Sequence, residues 1–330
     1  MNFFNKLPFE TIKREILIKK KSETSEKYGC YPENRSIKEL INYGITNLNK
    51  PAGPTSHQVS DYVQKILKIE KAGHSGTLDP NVTGVLPIAL GRATRIVEYL
   101  LKSGKEYVCL MHLHKQVEEE KIKGTFKGLT GKIKQLPPIK SAVKRVLRER
   151  EIYYIEILGI NKQDVLFKIG CQAGTYIRKF VHDFGQKLKT GAHMVQLIRT
   201  KVATFTDKDW INLHDIKDAY EFYNGGDETL LKKCILPIEK AIEHLPKIWV
   251  FDTTVDSLCH GASLSIPGIS KLDSNIKEDD LVVILTLKEE LICLGNSLLK
   301  SEDILKNDKG IAVRVKKVFM EPNLYPKFKK

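Results

Sequence analysis

One acid stands alone in a stretch of small and apolar residues. In GHSGTLDPNVTGVLP, residues 73–87, Asp79 is followed directly by Pro80, with glycines at 73, 76 and 84. A turn aspartate ahead of proline is a common structural arrangement, so spacing has to test the chemical readings. A haloacid-type phosphotransferase needs a second acid two residues on, where this chain has Asn81. An aspartic protease needs Asp-Thr/Ser-Gly, which Pro80 excludes. Hydrolysis by paired carboxylates needs a partner acid, and none lies close in sequence. What survives is a single acid in a glycine-shaped, largely apolar pocket, suited to attack on a bound ring. Partly desolvated, such a carboxylate needs a cation to stay ionised.

The elements that must position Asp79 follow from periodicity and punctuation. At INYGITNLNKPAGPTS a short apolar strand ends in a Pro/Gly turn. Thr55 and Gln58 have capping-box spacing, and Val59, Val63, Ile66 and Leu67 mark the buried face of the helix behind them. RATRIVEYLLKSG reads as one helix with a glycine stop. KEYVCLMHLH alternates, placing Tyr107, Cys109, Met111 and Leu113 on one side of a strand. EIYYIEILGI and DVLFKIGCQAG read as two further strands. The second runs through Gly174 into a helix, TYIRKFVHDFGQKL, with Ile177, Phe180, Val181, Phe184 and Leu188 as its buried stripe. Arg178 lies just off that stripe, in the first turn. Strands and helices mix irregularly, which gives an α+β class with a mixed, mainly antiparallel sheet.

Near residue 245 the texture changes to short strands separated by turns such as HGA, IPGIS and NDKG, the pattern of a small β-barrel. Residues 1–40 are polar and charged and read as an extension packing on another surface. The expected organisation is therefore an extension over 1–40 held on the C-terminal domain, a catalytic domain over 41–245, and a β-barrel domain over 246–330.

Composition narrows the partners. Lys and Arg number 54 against 40 Asp and Glu, a net charge of +14, which favours a polyanion because each phosphate neutralised releases counterions. Six cysteines carry no C-x-x-C pair, so neither a metal site nor a disulfide framework is expected, and reduced thiols point to the cytoplasm. No apolar run approaches the roughly 18 residues of a membrane span, and the amino terminus lacks an apolar signal core.

Six segments then occur in a telling order: NLNKPAGPTSHQV, AGHSGTLDPNVTGVLPIALGRATR, KEYVCLMHLH, LPPIKSAVKR, AGTYIRKFVHDFG and GAHMVQLIRT. The order resembles that of the TruB/dyskerin family of pseudouridine synthases, in particular its archaeal H/ACA-guided members. DSLCHGASLSIPGI with GIAVRVKKVFM resembles the PUA RNA-binding domain of that subfamily.

The resemblance implies roles. Asp79 would start uracil's detachment from its ribose and reattachment through C5, Tyr107 would stack on the flipped base, and Arg178 would pair with Asp79. Leu197, His74 and Lys50 would line or support the substrate pocket. Lys140, Lys144, Arg145 and Arg148, in a mobile basic loop, would contact RNA, as would Lys316 and Lys317 on the last strand. No cofactor or metal is implied. Implied partners are an H/ACA guide RNA, substrate rRNA or tRNA, and three small proteins: one zinc-ribbon-like, one aiding turnover and one binding kink-turns. Gln116, Leu136, Ile198 and Ala203 depart from residues frequent in the family. A guide-free tRNA enzyme and a non-catalytic RNA scaffold are the rival readings.

Overall fold

The computed structural model describes residues 5–137 and 144–327. The chain divides into two compact units, Met1–Thr11 with Ile45–Ile235 and Ile12–Gly44 with Leu236–Lys330. Residues 5–11 thus fall with the first unit and not with the expected extension. Leu7 is fully buried there, and Glu10 is paired with Lys201 at 3.0 Å.

In the first unit a mixed, mainly antiparallel sheet runs in the order Gly44–Lys50, Thr83–Leu90, Ala192–Val202, Lys105–Leu113, Asp164–Cys171, Arg148–Asn161 and Gly131–Gln135. The step between Thr83–Leu90 and Ala192–Val202 is parallel. Tyr107, Cys109, Met111 and Leu113 are buried on one face, where Cys109 lies opposite Phe167 and Met111 opposite Val165. The helix Ile177–Lys187 covers that face with Ile177, Phe180, Val181 and Phe184. Phe184 and Phe126 have ring centroids 4.4 Å apart. Each fully buried phenylalanine contributes about 2–3 kcal/mol. Gly185 permits the close approach, because a Cβ there would lie 2.3 Å from the amide nitrogen of Ala192.

Three stretches differ from the sequence reading. RATRIVEYLLKSG is a 3-10 helix, Gly91–Ile96, leading into a short α-helix, Val97–Leu101. The Thr94 hydroxyl donates to the Gly91 carbonyl at 2.9 Å, a local bond that competes with regular helix. The basic loop has strands at both ends, Gly131 facing Ile152 and Gln135 facing Arg148. Half-buried Ile133 alternates with exposed Lys132 and Lys134, a period of two. Residues read within the IPGIS turn open the strand Ile269–Asp273, whose Ile269 and Leu272 are buried.

That strand belongs to the second unit, a seven-stranded sheet in the order Ile16–Ile18, Ile269–Asp273, Lys247–Val250, Leu281–Leu285, Leu291–Ser297, Ile311–Val318 and Leu264–Ser265. Its core packs Ile248, Val250, Val255, Leu272, Ile284 and Ile292. The helix Asp252–Cys259, unforeseen from sequence, contributes Val255 and Leu258. Segment 12–44 is tied in by its own strand and by Lys288, whose ammonium donates to the carbonyls of Ser25 at 3.0 Å and Tyr28 at 2.6 Å. Arg35 grips Glu239 through two parallel bonds of 2.7 and 2.8 Å, both side chains nearly buried. Glu239 also accepts the amide of Leu291 at 2.9 Å.

Removing one member of a buried pair strands the other charge, at a cost of about 3–5 kcal/mol, whereas replacing both is far milder. Arg35→Met should therefore lower the stability of this unit by about that amount, and Arg35→Met with Glu239→Leu should restore much of it. Trp249 fluorescence during urea unfolding, in a Trp210→Phe background, reads the difference.

Candidate active site

The segment from Ser75 to Val82 is neither helix nor strand, so its backbone groups need other partners. A tight turn supplies one: the Val82 amide donates to the Asp79 carbonyl at 3.0 Å, with Pro80 at the second position where its fixed φ fits. Ser56, fully buried at the start of the helix Ser56–Leu67, accepts the Leu78 amide at 2.8 Å and donates to the Leu78 carbonyl. The helix itself starts as expected, with Thr55 and Gln58 in a reciprocal capping box.

Cations supply the rest. Lys50 is fully buried and donates to the carbonyls of Pro51, Pro80 and Val82 at 2.8, 2.9 and 3.0 Å. It thereby holds the turn that carries Asp79, because burial leaves its ammonium no other acceptors. Arg199 was not singled out from sequence. It is almost fully buried, and its Nε donates to Val85 O at 2.8 Å while Nη2 donates to Gly76 O at 3.1 Å. Gly84 lets the strands close on it: at φ +110°, its Cβ would lie 2.2 Å from the Arg199 carbonyl. The sequence signal for Arg199 was a charged residue inside an otherwise core-facing strand pattern, between Leu197 and Val202.

The turn points Asp79 outward, half exposed, into an ion pair with Arg178 from the first turn of the helix Ile177–Lys187. Leu78 and Val82, on either side of it, pack into the same core cluster as Tyr107, Leu197 and Ile177. Four predicted residues thus fall in one neighbourhood: an acid, its cation, an aromatic ring and an apolar side chain. Burial raises the Tyr107 phenol above its ordinary value, with Arg199 opposing the rise. In solvent such a half-exposed ion pair contributes about 0–1 kcal/mol. Covered by a bound ring it becomes stronger, since the local dielectric falls.

His74 lies on the short strand Ala72–His74, beside the loop. Its ring meets His57 edge-on, with centroids 4.6 Å apart. The Gly76 amide donates to Nδ1 at 3.3 Å, so Nε2 carries the proton, and that buried atom has no partner among the described residues. Burial first, then His57 and Arg199, push its pKa down to about 4.

The RNA-contact residues are more dispersed. Lys140 lies outside the described residues. Lys144 and Arg145 are exposed, while Arg148 is half-buried and donates to the Lys144 carbonyl at 3.3 Å. Lys316 is exposed and Lys317 half-buried on the strand Ile311–Val318. Of the departures from family pattern, Gln116 is exposed and Ala203 holds φ +49° in a turn, a conformation that suits glycine better.

Residues 64–177 match the model of the TruB family pseudouridylate synthase N-terminal domain, and residues 178–243 that of the tRNA pseudouridylate synthase B C-terminal domain. Residues 246–319 match the PUA domain and 5–60 the DKCLD domain. A protein of Pyrococcus abyssi, named a probable tRNA pseudouridine synthase B, is 53% identical over 319 residues, 96% of each chain. One of the same name from Methanothermobacter thermautotrophicus is 52% identical over 93% of this chain and 95% of its own. Among solved structures, an H/ACA RNP bound to a substrate RNA containing 2'-deoxyuridine holds a chain 50% identical, with a TM-score of 0.92, covering 98% of this chain and 99% of that one. A Cbf5-Nop10-Gar1 complex holds one 53% identical, also at 0.92, over 98% of each.

Two outcomes follow from the loop's anchoring. Lys50→Met should cost about 1–3 kcal/mol for the carbonyls left unpaired, and should speed amide exchange at Gly53 and Val82 first. His74 should stay neutral down to acid pH. Because its folded pKa of about 4 lies below the ordinary 6.5, its contribution is complete above pH 6.5 and is lost as pH falls towards 4, by about 3 kcal/mol. Urea unfolding from pH 4 to 7 should show that slope flattened in His74→Gln.

Proposed function

The chain belongs to the TruB family of pseudouridylate synthases, and we propose that it converts uridine to pseudouridine in ribosomal RNA at positions chosen by pairing with an H/ACA guide RNA. The observation that carries this reading is the Asp79–Arg178 pair, whose flanking residues Leu78, Val82 and Ile177 pack in one core cluster with Tyr107 and Leu197. The target base must leave its stack to reach such a site, and an aromatic ring with an apolar floor suits a flipped pyrimidine. Asp79, kept ionised by Arg178, starts the detachment as nucleophile or base. The N1–C1′ bond breaks, a C5–C1′ bond forms, the C5 hydrogen leaves as a proton and N1 gains one. The exchange is redox-neutral and calls for no electron carrier.

Around the pocket, Lys144, Arg145 and Arg148 serve phosphate contacts, joined by Lys140, and Lys316 and Lys317 serve the guide. His74, half-buried beside the loop, is assigned to the gap left by the flipped nucleotide. Arrangement as an extension, a catalytic domain and a PUA domain fits these tasks. The similar chains sit in an H/ACA RNP with substrate RNA and in a complex with Nop10 and Gar1, which supports RNA and two small protein partners for this chain; a third partner, binding kink-turns, belongs to the same proposal. All six cysteines are free thiols, and among the described residues no helix is long and apolar enough to cross a membrane. Both fit a cytoplasmic enzyme. The relatives' names support tRNA as a second substrate, and the uridine we assign to it lies in the T-loop and is modified without a guide.

Tritium release from RNA labelled at uridine C5 tests the reading, with guide and partner proteins and separately with tRNA alone. Wild type should release tritium, and Asp79→Asn should fall by roughly 10²–10⁴-fold or more while still binding RNA. Release from tRNA without guide would give that substrate equal standing. A fully active Asp79→Asn would remove Asp79 from its role, and binding without release by wild type would favour a scaffold.

A further inference from the structure

Arg199 is almost fully buried beside the site, yet its hydrogen bonds to the loop and the strand after it go to carbonyls of Gly76 and Val85, and it has no carboxylate partner among the described residues. A buried cation without a counter-ion is costly, so its retention calls for a reason. Its position supplies one. Arg199 pairs directly across the sheet with Tyr107, and its guanidinium and the Tyr107 phenol attract each other, each moving the other's proton affinity towards the ionised form. The guanidinium thus bonds to the loop that carries Asp79 and interacts with the phenol on the neighbouring strand.

We propose that Arg199 is a positioning residue for Tyr107: fixed by two loop carbonyls, its guanidinium holds the phenol in register with Asp79 and faces the phenol oxygen with a permanent positive charge. The inference rests on the reading of Tyr107 as a residue that touches the flipped base. It assigns a use to a charge that packing alone does not require. When the phenol donates a hydrogen bond to the bound nucleotide, the partial negative charge that builds on its oxygen meets a cation already in place.

Other groups bear on the same field and must be kept constant. Asp79 and Cys171 act on the phenol alongside Arg199. Lys50, Lys105 and His74 each feel the Arg199 charge. Lys105 is the strongest case, its pKa pushed down to about 7 by burial and then by Arg199. Its ammonium donates to the carbonyls of Leu100, Leu101 and Ser103 and so is directed away from the phenol. Arg199 is the cation left to serve it.

The test loads position 107 with 3,5-difluorotyrosine, whose phenol ionises at lower pH than tyrosine's, and follows its fluorine-19 resonance against pH in the full chain. Arg199→Gln should raise the midpoint by about one pH unit, the effect of losing a neighbouring charge, whereas Arg199→Lys should leave it nearly unmoved. In tritium release Arg199→Gln should lower kcat about 10–100-fold with KM unchanged. Combined with Tyr107→Phe it should add little to that variant's loss, since residues acting as one unit are not additive. A midpoint blind to Arg199→Gln, or fully additive losses, would overturn the proposal. Should Arg199→Gln not fold, Arg199→Lys decides: it keeps the charge but loses the two-carbonyl grip, and an unchanged kcat would sink the positioning role. Failure of the functional reading would look different, as wild type releasing no tritium whatever the titration shows.

Discussion

A loop that must present an acid to solvent cannot also satisfy its own backbone. Between Ser75 and Val82 the chain gives up both ladder and helix, yet its carbonyls face the interior, where an unpaired one is costly. Two buried cations resolve the conflict. Lys50 collects the carbonyls after Asp79 and Arg199 one before it, so the turn is clamped from both sides. The rest of the first unit can be read as what holds those two cations. The strand Gly44–Lys50 delivers Lys50 at its end, and the parallel step at Thr83 and Gly84 delivers Arg199. Gly84 is the residue whose missing side chain lets that step form.

Ammonium groups recur in this role. Lys50, Lys105 and Lys288 are each buried and each donate to three carbonyls of irregular backbone. An ammonium has three donors and no acceptor, which matches a cluster of carbonyls better than a hydroxyl or amide would. The desolvation cost is offset when all three donors are used. In the second unit the same device fastens residues 25–29 onto the sheet. A strongly basic chain therefore places part of its cation excess inside, where it replaces secondary structure, and not on an RNA-facing surface.

This explains which parts were legible in the sequence. The alternation over Lys105–Leu113 and the stripe of Ile177–Lys187 are local patterns, and both elements formed where read. Asp79, Tyr107, Arg178 and Leu197 were singled out because their types and order match a family; the structure pairs Asp79 with Arg178 and packs Tyr107 and Leu197 in one cluster. The burial of Arg199 and of Lys50 was not legible, since a lysine or arginine looks alike whether solvated or buried. Only the pairing of distant strands reveals that these two have no water. The strand Ile269–Asp273 was missed for a related reason. Its hydrogen-bond partners, Ile16–Ile18 and Lys247–Val250, come from far along the chain and leave no mark on its own five residues.

The pairing of a rigid, cation-clamped loop with a half-open ion pair has a physical logic. A fully buried Asp79–Arg178 pair would be desolvated before substrate arrived, and its strength would be present equally in free and bound enzyme. Left half in water it contributes little to the free state. On the function proposed above, a base closing over the pair would put the same charges in a lower dielectric, where each strengthens the other. Rigidity is what makes that increase useful. If the turn could shift when its solvent left, Asp79 would follow Arg178 and not the substrate. Clamping by Lys50 and Arg199 denies it that freedom, so desolvation strengthens the acid's field without moving the acid.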